Sequence, residues 1–117
     1  MENQIENLIK KAYSAFNSRD IDAALSTFHT NVDWPKAFEG GYVNGHAEVK
    51  AYWTRQWTEI NGIVEPIKIT IRENGTYEVT VHQLVKDLEG KILFDGKIKH
   101  IFTVQENMLR RMDIELE

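Results

Sequence analysis

The chain has 117 residues, 42% of them apolar, which is enough for one domain with a single hydrophobic core. It contains no cysteine, so disulfide bonds, thiolate metal sites and cysteine nucleophiles are excluded. The net charge of −4 and the scattered basic residues argue against nucleic-acid binding, which typically needs a basic stripe. No run approaches the roughly 20 apolar residues of a membrane span, and no signal-peptide pattern is visible. We therefore expect a single domain over residues 1–117, located in the cytoplasm.

Three amphipathic segments in the first half of the chain predict helices. The first helix is predicted by apolar residues that share one face at helical spacing: Ile5, Leu8, Ile9, Ala12, Tyr13 and Phe16. Asp20 is a good N-cap for a second helix that would run through Phe28. A third helix is predicted over about residues 45–60, ending at Asn61-Gly62. Its inner side carries Val49, Tyr52, Trp53, Gln56, Trp57 and Ile60.

An extended segment and a long loop are predicted between the second and third helices. Residues 31–34 should be extended because Trp34 precedes Pro35, which disfavours helical angles at the preceding residue. The loop over residues 35–45 contains Phe38 and Tyr42. A loop of this length in a small domain is often functional.

The residues after Glu65 predict strands joined by tight turns. Ile67, Ile69 and Ile71 alternate with polar residues, which predicts a half-buried strand. Asn74-Gly75 is a strong hairpin signal. A two-residue turn at Glu89-Gly90 would then place one apolar group on a common face: Tyr77, Val79, Val81, Val85, Phe94, Ile98, His100, Phe102 and Val104.

The same register leaves two polar residues, Gln83 and His100, on this otherwise apolar face. The opposite, convex face would carry Leu84, Leu93, Ile101 and Leu109 among threonine, His82 and lysines. The last turn, Glu106-Asn107, allows two registers of the final hairpin. One register places Asp113 opposite His100, and the favoured register places Met112 there, because it keeps Met108, Met112 and Ile114 inward.

Six segments of the chain resemble the NTF2-like superfamily, named after nuclear transport factor 2. They are AYSAFNSRD at 12–20, LSTF at 25–28, VDW at 32–34, GHAEVKAYW at 45–53, HIFTV at 100–104 and ENMLRRMD at 106–113. The resemblance implies an α+β cone in which three N-terminal helices pack on a curved, mostly antiparallel sheet and enclose a pocket. The superfamily includes enzymes, binding proteins and dimerisation modules, so the resemblance alone does not give the activity.

The resemblance argues against ketosteroid isomerase activity. That enzyme uses an aspartate base opposite a tyrosine and a protonated aspartate. The corresponding positions here are Lys36, with Asp33 as the nearest acid, then Ala12, with Tyr13 beside it, and His100. The aspartate–arginine–aspartate set of the epoxide hydrolases is also not found at recognisable positions.

His100 is the candidate catalytic residue, because its strand neighbours Ile98 and Phe102 direct it into the concave side. A histidine there can act as an acid or base near neutral pH. The alternative interpretation is a core histidine that is hydrogen-bonded to Tyr13 or Gln56. The candidate ligand-binding residues are Tyr13, Phe16, Trp34, Trp53, Trp57, Phe102 and Met112. No histidine pair has metal-ligand spacing, so we expect neither a metal nor a cofactor.

These observations favour a protein that binds a small hydrophobic molecule in the cone. The alternative is a cofactor-independent enzyme, a SnoaL-like cyclase, isomerase or hydrolase that uses His100 as acid-base. A purely structural dimerisation module is a third possibility, but it leaves His100 and Gln83 without a reason to face the core. Because the convex face is half apolar, we also expect a homodimer through that face and no nucleic-acid or membrane partner.

Overall fold

The computed structural model describes residues 4–36 and 39–116, so the predicted loop residue Phe38 lies outside the described residues. This part of the chain forms three helices and a six-stranded sheet. The helices are α1 (Gln4–Asn17), α2 (Ile21–Leu25) and α3 (Gly45–Trp57). The strands are β1 (Phe28–Pro35), β2 (Tyr42–Asn44), β3 (Ile60–Ile71), β4 (Tyr77–Asp87), β5 (Ile92–Gln105) and β6 (Met108–Leu116).

The six strands form one sheet in the order β2-β1-β6-β5-β4-β3. Only β1 and β6 pair in parallel among these strands, and the other neighbours are antiparallel. The apolar faces of α1 and α3 join the inner face of the sheet in one buried cluster, in which Ile9, Val49 and Val79 are fully buried. The predicted α+β cone with three helices on a curved, mostly antiparallel sheet is confirmed.

The helical pattern predicted the helix starts well and the helix ends less well. Asp20 caps α2 as expected, since its carboxylate accepts a hydrogen bond from the Ala23 amide at 3.1 Å. Phe28, however, is the first residue of β1 and does not belong to α2. The adjacent Thr27 carbonyl accepts a hydrogen bond from the Leu109 amide at 3.0 Å, so pairing with β6 begins at Thr27, just before β1.

The segment after α3 was also predicted incorrectly. The helix ends at Trp57, and Asn61 and Gly62 lie inside β3, paired with Lys86 and Val85. Gly62 does not adopt the left-handed conformation that would end a helix. The predicted loop likewise contains a short strand, β2, paired with β1.

The inward alternation expected for Ile67, Ile69 and Ile71 is interrupted. Ile69 is half-buried, but Ile67 and Ile71 are 53% and 50% exposed. The register shifts between Pro66 and Lys68. Pro66 has no amide hydrogen to donate to the ladder, and such a residue is typical of a bulge in an edge strand.

The central hairpin has the register that the sequence predicts. Val79 pairs with His100, Tyr77 with Phe102 and Val81 with Ile98, so these residues share the inner face. The predicted two-residue turn is wrong, because the Asp87 amide donates to the Lys91 carbonyl at 2.8 Å and leaves three residues, 88–90, in the loop. A bulge between Val85 and Lys86 compensates for the extra residue and restores the predicted register. The predicted register is therefore confirmed. It is strongly favoured because a slip of one residue would turn every apolar side chain outward.

The final hairpin has neither predicted register. Ile114 lies opposite His100, Met112 lies opposite Phe102, and Asp113 faces outward beside Ile101. Glu106 and Asn107 both have positive φ, at 54° and 63°, which forms a tight two-residue turn. A bulge between Thr103 and Val104 then shifts the register by one more residue. Met112 and Ile114 still share the face of His100, because the total shift is two residues.

The convex face is less apolar than expected. Leu109 belongs to the buried core and not to the outer face. Ile101 does lie on the outer face, but it is only 6% exposed within a single chain. Leu93 is the extra residue at the bulge of β5 and lines a groove with Gln56 and Val85, so its predicted place on the outer face is wrong. The homodimer through this face stays a prediction. No helix in the described ranges is long and apolar enough to cross a membrane.

Candidate functional site

Two small cavities lie between α1, α3 and the inner face of the sheet. The first, of about 60 Å³, is lined by Phe16, Trp34, Pro35, Tyr52, Trp53, Gln56, Trp57, Ile60, Gly62, Val64, Gln83, Val85, His100, Met112 and Ile114. The second, of about 30 Å³, is lined by Ala12, Tyr13, Phe16, Phe28, Trp34, Trp53, Val64, His100 and Phe102. Because His100 lines both, the two cavities together are called the inner cavity.

His100 is a buried histidine of β5 with one ring nitrogen bonded to the protein. Its Nδ1 lies 2.7 Å from the Tyr13 hydroxyl oxygen, and the two residues are 4% and 5% exposed. Its Nε2 has no hydrogen-bond partner among the described residues. Every fully enclosed polar side-chain atom in those residues has a partner, so Nε2 must reach accessible space. That space is the inner cavity.

The Tyr13 contact determines which nitrogen of His100 carries the proton. The Tyr13 hydroxyl has no other hydrogen-bond partner in the described chain, and an unpaired buried hydroxyl hydrogen is costly. Tyr13 therefore donates to Nδ1, and the neutral imidazole carries its hydrogen on Nε2. The inner cavity thus has the Nε2–H of His100 as a hydrogen-bond donor on a largely apolar wall.

Burial keeps this pair neutral. Removal of the imidazole from water lowers the pKa of His100 from 6.5 to about 4. The same effect raises the pKa of the Tyr13 hydroxyl well above its ordinary value. At neutral pH His100 is therefore an uncharged hydrogen-bond donor, and its low pKa makes it a weak general base.

Aromatic rings form most of the remaining wall. The Trp53 ring centroid lies 5.2 Å from that of Phe16, 5.3 Å from that of Trp34 and 5.8 Å from that of Trp57. Trp53 is fully buried, whereas Trp34 and Trp57 are partly exposed. Such offset and edge contacts favour a rigid wall.

The structure brings all the sequence-predicted site residues to this cavity. They are His100, Tyr13, Phe16, Trp34, Trp53, Trp57, Phe102 and Met112. Both interpretations of His100 apply in part, because one nitrogen bonds to Tyr13 and the other faces the cavity. A ligand-binding role for these residues stays a prediction.

Two polar lining residues were not selected from the sequence. Gln83 extends from the inner face of β4, and its amide makes no hydrogen bond among the described residues. Gln56 donates to the Tyr52 hydroxyl at 2.8 Å and lines both the inner cavity and a surface groove of about 370 Å³. The β4–β5 register had already placed Gln83 inward, which was the available signal.

The other candidate polar residues lie away from the cavity. Asp33 accepts hydrogen bonds from Asn44 at 2.9 Å and from Arg110 at 3.0 Å, and these contacts hold the pKa of its carboxyl below the ordinary value. His82 bonds to Asp95 at 2.5 Å on the outer face. His46 donates from Nε2 to the Phe28 carbonyl at 3.0 Å. No group of three potential metal ligands occurs among the residues described.

Comparison with known proteins identifies the family. A sequence profile described as "SnoaL-like domain" matches residues 9–97, which is most of the chain. The chain belongs to the SnoaL-like domain family. No curated protein matches this SnoaL-like chain.

Solved structures share the fold of this SnoaL-like chain at low identity. TerC, co-crystallized with polyporic acid, has a TM-score of 0.85 at 23% identity over 98% of this chain and 92% of its own. An NTF2-like protein of unknown function from Burkholderia pseudomallei has a TM-score of 0.85 at 20% identity over 99% and 92%. A proposed polyketide cyclase from Xanthomonas campestris has a TM-score of 0.77 at 20% identity over 97% and 90%. At these identities the likeness shows the fold alone.

Proposed function

We propose that this SnoaL-like protein binds a small, mainly apolar molecule in the inner cavity and holds one of its oxygen atoms with the Nε2–H of neutral His100. The observation that carries the proposal is the divided bonding of His100, with Nδ1 on Tyr13 and Nε2 facing the cavity. A cavity with aromatic walls and one oriented polar group is typical of small-molecule sites. Co-crystallization of TerC with polyporic acid supports uptake of an organic molecule by this fold.

The size of the cavity limits the ligand or requires movement. About 60 Å³ is far below the roughly 300–1,000 Å³ of sites for drug-sized ligands. Gln56 and Trp57 line this cavity and also adjoin surface grooves, and both are partly exposed. We infer that these two side chains move when a molecule larger than a few waters enters.

A cofactor-independent isomerase or cyclase is the second candidate. The observation in its favour is the same His100 Nε2–H, which could stabilise the negative charge that develops on a substrate oxygen. The proposed polyketide cyclase among the fold neighbours points in the same direction. The described lining, however, contains no aspartate or glutamate to act as a base, and His100 with a pKa of about 4 is a poor one. Binding is therefore the preferred function.

The binding proposal is tested with 1-indanone and indane, which share one carbon frame and differ in a carbonyl oxygen. One hydrogen bond corresponds to roughly a tenfold difference in affinity, so wild-type protein should prefer indanone by about that factor. The Tyr13→Phe/His100→Phe double variant should bind both probes equally. Replacement of both partners avoids the unpaired buried hydroxyl that the single His100→Phe variant would leave. Tryptophan fluorescence and calorimetry would report the affinities.

Two results would contradict the proposal. One is that neither probe binds and that protein purified from its own host retains no small molecule in native mass spectrometry. The other is an equal preference for indanone in the wild type and in the double variant. Separately, ¹⁵N NMR of the wild type should show the Nε2–H tautomer of His100, and Tyr13→Phe should reduce its population.

A further inference from the structure

Arg19 is an arginine without an acidic partner at the end of α1. It has a positive φ of 63°, and its guanidinium donates to the Gly62 carbonyl at 2.8 Å, to the Phe16 carbonyl at 3.2 Å and to the Asn61 side-chain oxygen. The guanidinium carbon also lies 4.8 Å from the centre of the Trp57 ring. All three hydrogen-bond acceptors are neutral, so the charge of Arg19 is not compensated by any of them.

The other arginines of the chain are compensated. Arg55, Arg72, Arg110 and Arg111 each have a carboxylate oxygen within 3.1 Å. Arg19 has no ion pair in the described parts of the chain, although the protein carries a net charge of −4. Partial burial lowers the pKa of Arg19, yet an arginine remains protonated in proteins. A partly desolvated cation of this kind favours binding of an anion.

A groove of about 230 Å³ lies at this arginine. Its lining is Arg19, Trp57, Ile60, Asn61, Lys86, Asp87, Leu88 and Gly90. Lys86 also makes no ion pair among the described residues, so the groove contains two uncompensated cations. Asp87 is the one acid of this lining, and its Oδ1 accepts the Glu89 and Lys91 amides at 2.9 Å. The groove therefore has a net positive charge.

The groove is adjacent to the inner cavity. Trp57 and Ile60 line both. Tyr13, which bonds to His100, and Phe16 lie on α1, and Arg19 follows just past its end at Asn17. The Arg19 guanidinium carbon lies 5.6 Å from the centre of the Phe16 ring and 4.8 Å from that of the Trp57 ring, and the two ring centroids are 5.4 Å apart.

We propose that the groove formed by Arg19 and Lys86 binds the anionic group of the ligand. Given the proposed function, on which this inference rests, the ligand is a slender apolar acid. One of its oxygen atoms meets His100, and its carboxylate meets Arg19. Because the Phe16 and Trp57 rings are in contact, with centroids 5.4 Å apart, Trp57 moves aside when the ligand enters, and both rings then supply its apolar contacts.

Three matched probes test the anionic subsite: 4-hydroxycinnamate, its carboxamide and cinnamate. Wild-type protein should bind the acid about tenfold more tightly than the carboxamide, as expected for an added charge-assisted contact. It should also bind 4-hydroxycinnamate more tightly than cinnamate, which lacks the hydroxyl for His100. The preference for the acid over the carboxamide should decrease between 0.02 and 0.5 M salt, because solvent ions screen the contact.

Variants of Arg19 and Lys86 test whether these two residues cause the preference for the acid over the carboxamide. Arg19→Gln should abolish the preference for the acid, Arg19→Lys should retain part of it, and Lys86→Gln should reduce it two- to threefold. Each variant should lower the affinity for the carboxamide much less than the affinity for the acid, because the carboxamide loses at most a hydrogen bond from the cation and no charge–charge contact. Thermal unfolding controls for loss of the Arg19 contacts to Gly62 and Asn61. If Arg19→Gln does not fold, Lys86→Gln and the salt series decide the question.

The inference is overturned if acid and carboxamide bind the wild type equally, or if the preference survives in all three variants. It is also overturned if neither cinnamate probe binds. The proposed function is judged separately by the uncharged indanone and indane pair. A failure of the anionic subsite can therefore be distinguished from a failure of the proposed function.

Discussion

Polar side chains on the two faces of strands β4 to β6 differ in how many hydrogen-bond partners they have. On the outer face the charged groups bond to one another: Arg72 lies 2.8 Å from Glu78 and 3.0 Å from Glu115. Arg111 contacts Asp113 at 3.1 Å, and Asp113 also accepts a hydrogen bond from the Tyr42 hydroxyl. The polar groups of this face are thus largely saturated by each other.

The inner face has few polar groups, and their bonding capacity is not fully used. One ring nitrogen of His100 is hydrogen-bonded to Tyr13, and the other faces the cavity. The Gln83 amide has no hydrogen-bond partner among the described residues. Burial disfavours the charged form of His100, as its lowered pKa shows, and an unpaired buried polar group is costly in general. Buried polar groups with unused hydrogen-bonding atoms therefore distinguish the candidate site from the solvated outer surface, and the number of polar residues does not.

The largest expected effect is on the inner face, at Trp53. Trp53→Ala removes a ring that is 1% exposed and contacts Phe16, Trp34 and Trp57. We expect a loss of about 3–5 kcal/mol in the free energy of unfolding, measured with urea. The matched control is Ile63→Ala on the outer face of β3, which is 40% exposed and should cost about 1 kcal/mol or less. Equal losses would show that the two faces do not differ as described.

The next effect is the pH dependence of stability. The pKa of His100 is about 4 in the folded protein and about 6.5 when unfolded, so its contribution is fully present above pH 6.5. It is lost as the pH falls towards 4, because the unfolded state binds the proton first. Between pH 7 and 5 wild-type protein should lose about 2 kcal/mol more than His100→Gln. The variant shares His29, His46 and His82, so their contributions cancel.

Urea unfolding at pH 7, 6 and 5 measures this difference. Parallel losses in the two proteins would mean that His100 is hydrated in the folded state and does not face a closed cavity.

The smallest expected effect is on the outer face. Glu115→Gln removes one of the two carboxylates that contact Arg72, in a pair whose side chains are 49% and 29% exposed. Such exposed pairs contribute little to stability, so we expect the smallest loss of the three variants, and one that shrinks further in 0.5 M salt. Glu78 still compensates Arg72 at 2.8 Å. A loss as large as that of Trp53→Ala would contradict the view that this face is a solvated network.

Particular residues show where sequence reasoning succeeded. The alternation through Val79 and Val81 fixed the β4–β5 register, because any odd slip would expose these valines. The inward direction of His100 followed from the same alternation. Helical spacing placed Tyr13 and Phe16 on the inner face of α1. These are periodic patterns, and periodic patterns are encoded locally.

The failures arose from strand pairing and bulges, which a local pattern does not reveal. The bulges at Pro66 and near Thr103 insert single residues that no hydrophobic pattern reveals. Asn61-Gly62 has the composition of a helix stop, yet it lies in a strand because β4 supplies hydrogen-bond partners. Leu109 was assigned to the wrong face for the same reason, since its orientation depends on the pairing of β6 with β1 and β5.

The amino-acid sequence by itself determined most of the helices and strands and the face to which His100 points, because hydrophobic periodicity and turn residues act over short distances. The α+β cone was implied by the resemblance of six segments to the NTF2-like superfamily. Only the tertiary structure decided that Tyr13 bonds to Nδ1, that Nε2 is left for the cavity and that Arg19 lacks an acidic partner. Those properties depend on contacts between residues 87 and 43 positions apart in the chain. Their distances and burial are set by packing, which no local pattern specifies.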